Sequence, residues 1–225
     1  MNPQRPSPPA AAALRPAYWA RARRHLKAAD PVLSGIIAQH PRICLVSRGD
    51  AFTTLARSIV GQQISLKAAD TVWARLRERC PQMRPDALLR RRLTTLRACG
   101  LSGRKAEYLQ DLARHFARGN LDMRDLQHLA DEDVIEALTE IRGIGRWTAE
   151  MFLIFNLLRS DVLPLDDLGL VKAVSRHYLD ETPVAGLMRG AGRDKVIALG
   201  QCWAPYRSVA TWYLWRSLDP VPVEY

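Results

Sequence analysis

Gly143 and Gly145 stand one residue apart, directly before the apolar helical run 146–158. Glycine has no Cβ, so the pair permits a tight turn with positive φ and leaves the main chain bare to a close approach. A helix that starts there offers main-chain N–H groups without internal partners, at the positive end of its dipole. The chemistry this suits is the binding of an anion, and of phosphate in particular. Ile144 is expected to point inward and anchor the turn. Arg146 stands at the mouth as a second phosphate contact, and Thr148 follows in the first helical turn. A Gly-x-Gly pair alone also fits an ordinary turn between two helices. The fuller pattern here is narrower: apolar, Arg, Gly, apolar, Gly, Arg, then a helix of small residues. Some twenty residues on, Asp166 and Asp167 open another helix after a turn containing Pro164. Asp in that place most often caps the helix.

Composition permits a nucleic-acid partner without requiring one. The 225 residues carry 33 Lys plus Arg against 23 Asp plus Glu, a formal net charge of +10. Such a balance favours polyanions. Only five of the basic residues are lysine (Lys27, Lys67, Lys105, Lys172 and Lys195), so a genome rich in arginine codons explains the charge equally well. Cys44, Cys80, Cys99 and Cys202 show no CxxC spacing and no His at ligand spacing, which argues against a zinc or iron–sulfur site. Their scattered positions read as reduced core residues of an intracellular protein, cytoplasmic in a bacterium. No apolar run reaches membrane-spanning length. The Pro/Ala-rich start, residues 1–16, reads as a disordered tail and not as a signal peptide.

The elements that must position these residues are helices nearly throughout. Apolar positions recur at three- and four-residue spacing over 17–40, where Pro41 ends the stretch. Further helices are expected over 51–60, 65–79, 85–89, 94–98, 102–118 with Ser102 as cap, 131–141 with Asp131 as cap, 146–158, from Asp166 or Asp167 to 178, 193–203 and 206–218. No alternating stretch reads as a strand, apart from weak candidates such as Arg42–Val46. The segment from Leu96 to Glu107 echoes that from Ile141 to Glu150: helix, tight Gly turn, helix. It is either a duplicated motif or a pair of ordinary αα-hairpins, which need Gly at the turn in any case.

Taken together, the hairpin and the double Asp resemble the helix–hairpin–helix DNA glycosylase superfamily that includes endonuclease III. In that family the hairpin is followed by an apolar-Pro-apolar run and an essential Asp, matched here by Val162-Leu163-Pro164-Leu165-Asp166-Asp167. The similarity extends from about Asp30 to Leu218. It is nearest to the DNA-3-methyladenine glycosylase II branch, with Gly-Arg-Trp in the hairpin and Gly61-Gln62-Gln63-Ile64-Ser65 upstream. The chain is too short to hold that branch's N-terminal β-domain. The resemblance implies an all-α fold of two helical lobes around a DNA-binding cleft. One lobe is 52–150, with the hairpin; the other is discontinuous, 17–51 with 151–225, and carries the Asp.

The same resemblance assigns roles. Asp167 is the catalytic carboxylate, because Leu170 follows it at the family's spacing, and Asp166 is left as the helix cap. Trp147 and Trp215 line the base pocket, where electron-rich rings attract a cationic base. Trp203 and Trp212 are expected in the core. Met151 and Leu168 replace two pocket tyrosines of the methyladenine enzyme, which makes the pocket less aromatic. Gln63, or else Gln62, stands in place of its wedge leucine, the residue that fills the gap when a base leaves the stack. Trp147 also occupies the place of the lysine that forms a Schiff base in strand-cleaving relatives, so the resemblance implies base release alone. Lys105, its counterpart in the echo, reads as solvated or phosphate-facing.

One carboxylate suffices for that chemistry. Breaking an N-glycosidic bond develops positive charge on the sugar, which a fixed anion stabilises, and a carboxylate also orients or deprotonates water. An alkylated purine is already cationic and leaves without a second acid. The expected activity is therefore hydrolytic release of alkylated purines from double-stranded DNA by a monomer, with no cofactor, no catalytic metal and no membrane. Another base specificity in the same fold, and a DNA-binding module without catalysis, remain the competing readings.

Overall fold

The computed structural model describes residues 16–218 apart from 48, 120 and 122, and leaves undescribed the side chains of 123 and 124. The expected tail falls outside it up to residue 15. Pro16, placed at the tail's end, is buried, and its carbonyl accepts from Trp19 N–H at 3.0 Å.

Among the described residues every regular element is a helix: α1 (Trp19–Ala29), α2 (Pro31–Gln39), α3 (Ala51–Gly61), α4 (Leu66–Arg79), α5 (Pro85–Leu89), α6 (Leu93–Ala98), α7 (Gly103–Ala117), α8 (Met123–Leu126), α9 (Asp131–Thr139), α10 (Arg146–Phe155), α11 (Leu168–Tyr178), α12 (Val184–Leu187), α13 (Gly190–Gln201) and α14 (Arg207–Leu218). Short polar side chains set several starts. Asp50 accepts from Thr53 N–H at 2.7 Å, Ser65 from Ala68 N–H at 3.3 Å and Ser102 from Lys105 N–H at 3.2 Å.

Four expectations are corrected. The run 17–40 is two helices, because Asp30 caps and Pro31 begins the second; proline supplies no N–H to continue the first. Asp131 is the first residue of α9 and not its cap, and it pairs instead with Arg159 at 3.3 Å. Arg42–Val46 is irregular, and α8 and α12 are short helices that the periodicity did not expose. Cys80 and Cys99 are buried as expected, whereas Cys202 is exposed.

Two sets of contacts organise the chain. In one, α3 packs against α4, α7 and α10, α7 also packs against α5 and α6, and α10 against α9. In the other, α14 packs against α1, α2 and α11, and α12 joins α11 to α13. The expected division at residue 150 thus falls within α10. Helix α14 is buried nearly all round from Ser208 to Leu214, the signature of a central helix. Trp19 meets Trp212 edge-on at 5.3 Å, and Trp203 is fully buried, so Trp203 and Trp212 are core residues. Asp30, 4 % exposed, accepts from Val32 and Leu33 N–H, from Tyr178 Oη–H and from Trp203 Nε1–H, which ties α2 to α11 and to the turn before α14. A buried carboxylate is tolerated because its oxygens are met in this way.

Candidate active site

The hairpin between α9 and α10 needs the conformational freedom of one glycine. Gly143 takes φ +89°, and a Cβ there would stand 2.2 Å from Tyr108 Cδ2, so glycine alone lets the ring from α7 lie against the turn. Ile144 is buried. Gly145 is another case. Its φ of −100° and ψ of 173° suit any residue, and a Cβ there would meet nothing within 4 Å. The expectation that both glycines serve a positive φ is therefore corrected. Gly145 occupies the cap position of α10 and leaves the first turn without a side-chain acceptor. Gln62 braces the turn, Nε2 donating to the Gly143 carbonyl at 2.7 Å.

The two side chains expected at the phosphate are not both free to reach one. Thr148 is 6 % exposed and faces inward, which leaves only its main chain for an anion. Arg146 stands at the mouth as expected, but its guanidinium already has partners. Nε donates to Glu150 Oε1 at 3.1 Å, while Nη1 and Nη2 donate to the two oxygens of Glu132 at 2.9 and 2.5 Å. Burial pushes the Glu150 carboxyl up to about 7, against the opposing pull of Arg146.

Asp167 is where the structure departs most usefully from the sequence reading. It is the cap of α11: Oδ1 accepts from Leu170 N–H at 2.6 Å. Asp166, expected in that role, instead accepts from Arg193 Nη1 at 2.7 Å. Asp167 N–H donates to the Pro164 carbonyl, and this turn aims the second Asp inward and the first outward. The loop ahead of it is held by Arg207, whose Nε and Nη2 donate to the oxygens of Asp161 at 2.7 and 2.8 Å, and by Ser208 Oγ, which accepts from Val162 N–H. Two indoles then converge on Asp167. Trp215 Nε1 donates to Oδ1 at 2.8 Å and Trp147 Nε1 to Oδ2 at 3.0 Å. The carboxylate is 7 % exposed.

Trp215 stacks on Phe155 with ring centroids 5.7 Å apart and 14° between planes. Gly169 makes room for it: a Cβ there would lie 3.0 Å from Asp167 Oδ1 and from Trp215 Nε1. Beside Trp147 opens a shallow pocket lined by Thr54, Leu55 and Ser58 of α3 and by Thr148, Met151, Phe152 and Phe155 of α10. Met151 is thus where a pocket residue should be. Leu168 is not among the lining residues and is 63 % exposed, because the first position of α11 faces outward. At the α3–α4 turn Gln62 is engaged with the hairpin, whereas Gln63 is exposed with φ +57°. Lys105, read as solvated or phosphate-facing, is half-buried and donates from Nζ to the Val60 carbonyl at 2.8 Å, closing the end of α3. Among the described residues no group of His, Cys, Asp and Glu could hold a metal ion. Sequence reasoning missed Glu132, Glu150 and Gly169. Glu150, four residues after Arg146, had a local signal; the other two depend on partners distant in sequence.

Comparison with known proteins bears on this geometry. Residues 56–190 match the family profile described as HhH-GPD superfamily base excision DNA repair protein. A putative DNA-3-methyladenine glycosylase of Bacillus subtilis is 35% identical over 83% of this chain, which spans 66% of that protein. DNA-3-methyladenine glycosylase 1 of Schizosaccharomyces pombe is 32% identical, over 76% of this chain and 74% of its own. Among solved structures, a DNA-3-methyladenine glycosidase from Bacillus halodurans superposes with a TM-score of 0.70 at 36% identity, covering 84% of this chain and 90% of its own. The Schizosaccharomyces pombe 3-methyladenine DNA glycosylase in complex with abasic DNA gives 0.72 at 30% identity, covering 91% and 98%.

Proposed function

The chain belongs to the HhH-GPD superfamily of base excision DNA repair proteins, and from that premise we propose that it hydrolyses the N-glycosidic bond of alkylated purines in duplex DNA and leaves the strand uncut. The observation that carries this reading is Asp167, a buried carboxylate whose two oxygens each accept an indole N–H, from Trp215 and Trp147. The names of the relatives support the substrate class. No described helix is long and apolar enough to cross a membrane; membership of a base excision DNA repair family supports a site of action on DNA inside the cell.

In this reading the duplex lies across a cleft between the two sets of helices. The uncapped first turn of α10 takes a backbone phosphate. Gln63, exposed on its turn, fills the gap left by the extruded base, and Gln62 serves as a brace. The base enters beside Trp147 and Met151. As the bond from C1′ breaks, its electron pair goes to the base, which needs no proton because alkylation has made it cationic. Positive charge grows on the sugar and Asp167 stabilises it. Water then adds to C1′ and gives up its proton, to Asp167 or to solvent. Trp147, where strand-cleaving relatives hold a lysine, has no nucleophile for a Schiff base. The enzyme acts as a monomer.

The test is incubation with methylated duplex DNA, chromatography of the released bases and electrophoresis of the strands. Release of 3-methyladenine or 7-methylguanine, with nicks appearing only after alkali, is the expected result. Release of no methylated base, or nicking without alkali, contradicts it.

A further inference from the structure

The two carboxylates on Arg146 are unequal, and the difference points to a displaceable one. Glu150 is a buried side chain (7 % exposed) that grips Nε from the same helix and fixes where the guanidinium stands. Glu132 reaches across from α9, its side chain 71 % exposed, and fills the outer fork with both oxygens. A guanidinium fork receives a carboxylate and a phosphate in the same two-pronged geometry. Glu132 therefore occupies the donors that a phosphate at the uncapped turn of α10 would use.

We propose that Glu132 is a built-in competitor for the DNA backbone: it latches Arg146 in the free protein, and a phosphodiester displaces it on binding. The exchange is inexpensive because both groups of the latch are open to solvent and exposed pairs are weak. Once released, Glu132 remains in the first turn of α9 beside Asp131 and Asp133, where the helix dipole favours negative charge. Arg146 stays aimed by Glu150. The latch keeps this arginine from taking up anions that the hairpin amides do not also hold. The proposal rests on reading the hairpin as a DNA site.

The experiment is the affinity of the full chain, by fluorescence anisotropy, for a labelled duplex carrying a tetrahydrofuran abasic analogue. Variants are Glu132→Gln, Arg146→Gln, their double, and Asp133→Asn as a control of equal charge in the same turn without the contact. Arg146→Lys is a second background, since it keeps a charge beside Glu150 but loses the fork. Glu132→Gln should tighten binding by up to about fivefold, the scale of an exposed pair. That gain should vanish with Arg146→Gln, shrink with Arg146→Lys and exceed the gain from Asp133→Asn. An equal gain from Asp133→Asn, or a gain that survives loss of Arg146, overturns the latch and leaves the hairpin reading standing. If the natural chain does not bind the duplex, the hairpin reading fails and the latch fails with it.

Discussion

The α6–α7 and α9–α10 hairpins share a plan and part at the cap of the second helix. Each turns on a glycine with positive φ, Gly100 at +101° and Gly143 at +89°, followed by a buried aliphatic residue, Leu101 or Ile144. Each then reaches the cap position of its second helix. There Ser102 accepts from Lys105 N–H, and the helix end closes on itself. Gly145 offers no acceptor, and the first turn of α10 stays open. In the proposed reading, the α9–α10 hairpin serves as an anion site through what its cap lacks. The glycine that shapes the turn is common to both.

The comparison breaks most severely at the shaping glycines. Gly143→Ala drives a methyl into Tyr108 at a positive φ and should cost on the order of 3 kcal/mol in thermal or urea unfolding. Gly100→Ala meets Val72 Cγ2 at 3.2 Å and Arg75 Nη1 at 3.7 Å, both ends of side chains that can shift, and should cost about half as much. Equal losses would show that the Tyr108 contact is not what fixes Gly143.

Converting one cap into the other sharpens the comparison. Gly145→Ser should close α10 as Ser102 closes α7, raise the melting temperature slightly, and weaken duplex binding roughly tenfold, the scale of one charge-assisted hydrogen bond. Undiminished binding would remove the open cap from the account. In the other hairpin Ser102→Ala should cost about 1 kcal/mol of stability. Gly169→Ala tests the site that the open hairpin serves. Helix propensity gains up to about 1 kcal/mol, but the methyl crowds Asp167 and Trp215, so base release should slow several-fold without loss of melting temperature.

The smallest effect concerns Glu150. Its folded pKa is raised, so the native state holds a proton that the unfolded chain has released near neutrality. Stability should rise as pH falls through 7, by about 1 kcal/mol between pH 8 and pH 6. Glu150→Gln should flatten that slope; an unchanged slope would assign it to another group.

How far the sequence revealed all this follows from the range of each interaction. Ser102 and the Gly143 turn were legible because cap and hairpin chemistry spans three or four residues. The helix break at Asp30–Pro31 was written locally, yet apolar spacing ran across it. Asp166 and Asp167 present the same cap signal side by side. What separates them is Arg193, 27 residues beyond Asp166, and two indoles that reach Asp167 from α10 and α14. Arg146 looked like a free phosphate ligand because Glu132 lies on another helix. Leu168 matched a pocket position by register, but helix phase faces it to solvent.

The most direct test is Asp167→Asn. Asparagine keeps the cap, the size and an acceptor for Trp215, but removes the charge and turns an amide donor toward the Trp147 indole N–H. Single-turnover base release from methylated duplex should fall on the order of 100-fold or more, with affinity for the abasic duplex nearly unchanged and a melting temperature only modestly lower. Release at the natural rate by a folded, DNA-binding Asp167→Asn protein would contradict the assignment of Asp167 as the carboxylate that faces the sugar.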